Sequence, residues 1–246
     1  MKQTLAIDIG NTNITAGLFK GARLARKTKI PTHAYSLYKK GFRAFLKTGV
    51  CEVVISSVVP IALARVVHYL NSTAECRIVI VGRDTKVPIR NLYRIKNEVG
   101  QDRLVNAYAA KVLYGAPSVI IDFGTAITFD VVSRRGEYLG GLIVPGIEMG
   151  FESLHKKTAL LPKVELRPAR YIIGKDTVNS MRGGILFGLG AMCDGLVAKY
   201  KKILGNDMKV IATGGNAKLI KRYAKFIQIV NEDLTLKGLY LIFSKF

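Results

Sequence analysis

Leu5-Ala-Ile-Asp-Ile-Gly-Asn-Thr-Asn-Ile-Thr-Ala-Gly-Leu-Phe19 and Val119-Ile-Ile-Asp-Phe-Gly-Thr-Ala-Ile-Thr-Phe-Asp-Val-Val132 are two writings of one pattern. Each is an apolar run that ends in Asp-x-Gly, passes through small hydroxyl or amide residues, and enters a second apolar run. β-Branched runs bounded by Gly and Asn read as strand, tight turn, strand. Asp8 and Asp122 stand about half a chain length apart, so one unit is written twice.

Working outward, each half continues alike. In the first, Arg23–Ile30 predicts a third strand, Lys39–Thr48 a helix and Glu52–Ser56 a buried strand. Ile61–Leu70 predicts a helix, with Pro60 just before it where proline suits a helix start. Arg77–Val81 is a further strand and Lys96–Leu113 carries a helix. In the second half, Gly136–Val144 is the third strand, Gly146–Leu154 a helix, and Val178–Leu204 one or two long helices. Lys209–Ala212 is a strand stopping at Thr213-Gly214-Gly215, followed by a helix to about Lys225. Phe226–Val230 is a final strand and Leu236–Phe243 a final helix. Three strands, then alternating helices and strands, twice over, imply an α/β protein of two mixed-sheet domains. The expected division is 1–113 and 114–246, with ligands held in a central cleft between the halves.

Composition narrows the class. At 49% hydrophobic residues over 246 positions the chain builds a full core, which excludes disorder. The net charge of +21 favours anionic partners such as ATP and acidic metabolites, with basic residues spread along the whole chain. Cys51, Cys76 and Cys193 form no C-x-x-C pair, which fits a reduced cytosolic protein. The opening residues do not read as a signal peptide, because Asp8 interrupts the apolar run. Gly183–Ala198, the longest apolar-looking stretch, contains Asp194 and reads as too short and too polar to span a bilayer. A cytoplasmic protein without membrane partners is expected.

The Asp-x-Gly turns read as phosphate chemistry. A phosphate needs backbone N–H groups aimed at it and no bulky side chain in the way, which glycine at a turn supplies. Gly10-Asn11-Thr12-Asn13 offers such a turn with hydroxyl and amide donors, and Gly124-Thr125 repeats it. Asp8 is a candidate Mg2+ ligand, since magnesium favours one or two carboxylates plus phosphate oxygens. Thr213-Gly214-Gly215, a strand end opening a helix, is a natural seat for a nucleotide. Other nucleotide and hydrolase motifs are absent. Gly174-Lys175 is followed by Asp176, so no P-loop is present, and Gly188-Leu-Gly190 meets Cys193 where the dinucleotide fingerprint G-x-G-x-x-G has its last glycine.

Asp8-Ile-Gly-Asn-Thr-Asn13, Gly100-Gln-Asp-Arg103, Asp122-Phe-Gly-Thr-Ala126 and Thr213-Gly-Gly215 stand in the order found in type III pantothenate kinases. Ile55-Ser-Ser-Val-Val-Pro60, Gly140-Gly-Leu-Ile-Val-Pro-Gly146 and Asp233-Leu-Thr-Leu-Lys-Gly-Leu239 resemble that family too. The resemblance covers essentially the whole chain. It implies the duplicated actin-like (ribonuclease H-like) fold and ATP-dependent phosphorylation of pantothenate on its terminal hydroxyl, the first step of coenzyme A biosynthesis. It also implies a homodimer and a monovalent cation, K+ or NH4+. By resemblance, Asp102 matches the proton acceptor. Tyr93, Gly100, Gln101, Asp102, Arg103 and Thr177 match pantothenate-binding positions. Asp8, Ile9, Gly10, Asn11, Thr12, Asn13, Ile14, Thr15 and Thr125 match ATP-binding positions, and Asp122 the monovalent-cation ligand. The family usually carries Ala where Gln101 stands, and a long polar side chain there bears on substrate packing.

Two other readings stay open. One keeps the fold but phosphorylates another small hydroxyl compound, with Gln101 as its local reason. The other is a nucleic-acid-binding regulator on a kinase-like scaffold, encouraged by the charge. A pure binder would not require both Asp-x-Gly turns and the Gly-x-Asp-Arg segment, so nucleic acid is not expected as a partner.

Overall fold

The structure, a computed structural model, describes residues 3–50 and 52–244. Its contacts divide the chain into two compact units, Met1–Val112 with Asp233–Phe246, and Leu113–Glu232.

In the first unit β1 (Gln3–Ile9), β2 (Asn13–Lys20) and β3 (Arg23–Pro31) form an antiparallel meander. β4 (Glu52–Ser57) and β5 (Arg77–Ile80) add in parallel on the far side of β1, giving the order β3-β2-β1-β4-β5. Alternation along the strands sorts the two faces. Leu5, Ile7, Ile9, Ile14, Ala16, Val53 and Ile55 point to a core built with α1 (Tyr38–Leu46) and α2 (Pro60–Thr73). Pro60 occupies the first turn of α2, as its fixed φ and missing N–H allow. α3 (Gln101–Tyr114) follows a single 3-10 turn at Lys96–Glu98, so the helix expected from Lys96 is broken at Val99-Gly100.

The second unit repeats the plan. β6 (Ser118–Phe123), β7 (Ala126–Val132) and β8 (Tyr138–Pro145) form the meander. β9 (Lys209–Thr213) and β10 (Ile229–Val230) add in parallel beside β6, giving the order β10-β9-β6-β7-β8. Strand for strand, order and direction match the first sheet. Even the irregularities correspond, at Leu18/Phe19 and at Val131/Val132. This is the duplicated, mixed-sheet α/β plan that the repeated sequence implies, and the actin-like fold that the family resemblance implies.

α4 (Ile147–Lys157) and α5 (Thr177–Leu204) cover one face of the second sheet. α5 is 28 residues long and, by length and composition alone, apolar enough to cross a membrane. The stretch read as too short, Gly183–Ala198, is thus part of a longer helix. Its Met181, Leu186, Cys193 and Val197 belong to the unit's core, and Asp194 accepts hydrogen bonds from the N–H groups of Lys225 and Phe226 at 2.9 Å. α5 thereby contributes one face to that core, while most of its length stays outside it. Burial pushes the Cys193 thiol up to about 12; Cys51 lies outside the described residues. α6 (Ala217–Ile220) is a single turn, where the sequence predicts a helix to about Lys225.

α7 (Leu234–Phe243) shows a larger difference. The division at 113/114 assigns it to the second half, whereas the structure packs it on the first sheet. The Tyr240 ring stacks on Phe19 at 4.7 Å, a pair worth about 0.5–1.5 kcal/mol beyond its buried area. A Cβ on Gly17 would meet Leu236 at 2.8 Å, and one on Gly238 would meet the Val105 backbone of α3 at 2.8 Å. Glycine at both points lets sheet and helices approach closely.

Candidate active site

In the first unit Asp8 is the penultimate residue of β1. It pairs across with Thr15 on β2 and alongside with Ser56 on β4, so all three side chains leave the face opposite the α1/α2 core. The chain then turns through Gly10–Thr12, closed by the Gly10 N–H donating to the Asn13 carbonyl at 3.0 Å. Asn11 and Thr12 are exposed, Asn13 and Thr15 half-buried, and Ile9 and Ile14 fully buried. Ile9 and Ile14 therefore shape the turn from within the core, while Asn11, Thr12, Asn13 and Thr15 offer it polar groups.

Thr32, just past β3, staples that turn. Its N–H donates to the Thr12 carbonyl at 2.9 Å and its hydroxyl to the Gly10 carbonyl at 2.7 Å. Thr32 is buried, and the Tyr38 hydroxyl donates to its carbonyl at 2.6 Å. The sequence reading missed this residue. A lone Thr after a strand carries no periodic signal, although its buried hydroxyl makes it part of the turn.

Gly100, Gln101, Asp102 and Arg103 gather at the start of α3. The Asp102 carboxylate accepts the Arg103 N–H at 2.9 Å. A Cβ on Gly100 would stand 2.4 Å from Asp102 Oδ1 and 3.8 Å from Val58 Cγ1. The segment therefore lies beside the end of β4, where the Val58 N–H donates to the Ile9 carbonyl at 3.1 Å. Asp8 and Asp102 thus belong to the same end of the first sheet. Burial raises the Asp102 carboxyl above its ordinary value, outweighing the lowering by Arg103, whose own side chain is buried. A carboxylate held this way has a raised affinity for a proton, the property a general base needs. The Gln101 side chain lies on Gly82, whose φ of +90° already favours glycine; a Cβ there would meet Gln101 Cδ at 2.7 Å. Tyr93 sits in the preceding loop, its N–H donating to Asn91 Oδ1 at 2.9 Å.

In the second unit Asp122 takes the place of Asp8, pairing with Thr128 and with Thr213 on β9. The turn after it is one residue shorter, since Phe123 pairs with Ile127 where Ile9 pairs with Ile14. Two glycines close on it. A Cβ on Gly214, which has φ +87°, would lie 2.4 Å from Asp122 Oδ1 and 2.6 Å from the Phe123 carbonyl carbon. A Cβ on Gly146 would lie 2.0 Å from the Thr125 carbonyl oxygen and 3.0 Å from that of Gly124. Asp122, Thr125, Gly146 and Gly214 are therefore one cluster. Gly146 was legible only as part of a family-like segment, because its role depends on a contact with a turn distant in sequence. Thr177 opens α5 behind the N-cap Asp176, which accepts the Asn179 N–H at 2.8 Å. That bond holds the Asp176 carboxyl below its ordinary value.

A repeated mixed sheet with an Asp-x-Gly turn at the same strand end of each copy defines a protein of the actin-like fold class. Solved structures agree on the fold. A protein described as a Baf family transcriptional activator from Campylobacter jejuni matches with a TM-score of 0.61 at 19% identity, covering 98% of each chain. The ADPNP-bound activator of the 2-hydroxyisocaproyl-CoA dehydratase from Clostridium difficile matches with a TM-score of 0.54 at 14% identity, covering 99% of this chain and 95% of that one. The sequence goes further. The type III pantothenate kinase family model matches residues 4–199. A type III pantothenate kinase of Syntrophus aciditrophicus (strain SB) is 39% identical over 252 residues, covering 98% of both chains. The chain belongs to the type III pantothenate kinase family.

Proposed function

We propose that this enzyme transfers the γ-phosphoryl group of ATP to the terminal hydroxyl of pantothenate, giving 4'-phosphopantothenate and ADP at the first step of coenzyme A biosynthesis. The observation that carries the reaction is Asp102, a carboxylate of raised proton affinity in the Gly100–Arg103 segment of a chain matched along its whole length. The hydroxyl oxygen attacks the γ-phosphorus, the bond to the β–γ bridging oxygen breaks, and Asp102 takes the hydroxyl proton. Phosphoryl transfer otherwise depends on positioning and charge neutralisation. Arg103 supplies charge for the pantothenate carboxylate, with Tyr93, Gly100, Gln101 and Thr177 as further substrate-binding residues. Asp8 to Thr15 and Thr125 bind ATP through their turns.

The residues fit a divalent cation. Among the described residues no group of three or more His, Cys, Asp or Glu side chains offers an all-protein cage. Magnesium instead takes one or two carboxylates with phosphate oxygens and keeps several waters. Asp8, beside a glycine turn, suits that role, and bound Mg2+ would neutralise phosphate charge. Asp122 is proposed to hold K+ or NH4+, supported by the carbonyl-rich turn beside it. A homodimer is supported by exposed apolar side chains in the segment before α5, where Leu160 is 91% and Ile172 77% exposed. Cytoplasmic location and small-molecule partners, with neither nucleic acid nor membrane, complete the reading. The test is ADP release from purified protein with Mg·ATP, KCl and pantothenate against a panel of other hydroxyl acceptors. Release stimulated by another acceptor and not by pantothenate would overturn the substrate assignment.

A further inference from the structure

Ser56 is fully buried, and its Oγ has no hydrogen-bond partner among the described residues. A buried hydroxyl in that state is destabilising, and an alanine would fill the strand position without that penalty. Its place is specific. Ser56 pairs in register with Asp8 on the adjacent parallel strand, about 4.8 Å away at the backbone, so the two side chains emerge side by side on one face. In the repeated unit the position beside Asp122 is again a buried hydroxyl residue, Thr213. The strand end beyond Ser56 is fastened to the phosphate turn by the bond from the Val58 N–H to the Ile9 carbonyl.

We infer that Ser56 is a positioning residue of the metal–nucleotide site, its hydroxyl bonding a water held by the divalent cation at Asp8. The inference rests on the reading of Asp8 as the Mg2+ residue. Groups that bond a metal's outer ligands typically change metal affinity by about 10–100-fold. The hydroxyl therefore matters to the metal-bound nucleotide and not to the fold.

Calorimetric titration of the whole protein with ADP, with and without Mg2+, together with thermal unfolding, tests this. Ser56→Ala is expected to bind Mg·ADP about tenfold more weakly, to bind metal-free ADP as wild type does, and to unfold at an equal or higher temperature. Ser118 supplies the control: its buried Oγ also has no partner among the described residues, but it stands at the opposite strand end, at the start of β6. Ser118→Ala is expected to leave both titrations unchanged. Wild-type Mg·ADP affinity in Ser56→Ala, an equal loss with and without Mg2+, or the same loss in Ser118→Ala would overturn the inference. Asp8→Asn separates the two levels. If it abolishes the Mg2+ response while Ser56→Ala does not weaken it, only the Ser56 role falls. If Asp8→Asn keeps the Mg2+ response, or the wild type has none, the metal reading falls and this inference with it.

Discussion

Replacing Asp102 with Asn keeps the side chain's shape and removes its charge, which should move activity and stability in opposite directions. Loss of a positioned general base costs about 10^2–10^4 in turnover, or about 3–5 kcal/mol on the barrier. Stability follows from burial. Asp102 titrates above the 3.8 of an unperturbed carboxyl, chiefly through desolvation. Above the folded pKa both folded and unfolded states are ionised, and the fold carries the whole cost of the desolvated charge. As pH falls through the folded pKa the cost is relieved, and below 3.8 it is gone. Asparagine removes it at every pH, and its Oδ1 still accepts the Arg103 N–H that Asp102 accepts at 2.9 Å. Asp102→Asn should therefore unfold at a higher temperature than wild type at neutral pH, with the gap closing as pH drops towards the unfolded value. The wild-type acid limb of kcat/KM should likewise lie above the ordinary carboxylate range of about 3.9. Coupled ADP release and thermal unfolding across this pH range read all three. Near-normal turnover, or a variant less stable than wild type at neutral pH, would refute the reasoning.

Gly100→Ala should spare the fold and damage the reaction. The new Cβ conflicts only with the movable end of Asp102, at 2.4 Å, so the carboxylate shifts and turnover falls about a hundredfold at an unchanged unfolding temperature. Gly214→Ala meets the Phe123 backbone at 2.6 and 2.7 Å and sits at φ +87°, so urea unfolding should show a loss of about 2–4 kcal/mol. Thr32→Val removes the 2.7 Å bond to the Gly10 carbonyl, and should cost about 1 kcal/mol in urea unfolding and raise KM for ATP more than KM for pantothenate.

The meanders and their turns were legible because an apolar run ending in Asp-x-Gly is written twice, at Asp8 and at Asp122, each followed by a second apolar run. The C-terminal strands of each sheet were legible as short apolar runs, with Phe226–Val230 narrowing to the two paired residues Ile229–Val230. α7 was legible as a helix, but its ten residues are apolar around most of the circumference and do not say which sheet they cover. Gly17, Phe19 and Gly238 make the difference, and each reads as ordinary until its partner is known. α6 stops after one turn, and beyond it the Lys225 and Phe226 N–H groups bond the Asp194 carboxylate in place of a continuing helical ladder. In the site, Asp8, Asp102 and Asp122 stood out by motif. Thr32, Ser56 and Gly146 did not, since a buried hydroxyl or a missing Cβ acquires meaning only through contacts distant in sequence.

The most direct test is the product itself. Purified protein incubated with Mg·ATP, KCl and pantothenate should form 4'-phosphopantothenate, identified by mass spectrometry, in one-to-one proportion with ADP and at a rate that collapses in Asp102→Asn. ADP release no greater than in the pantothenate-free control, with no phosphorylated product, would contradict the assignment.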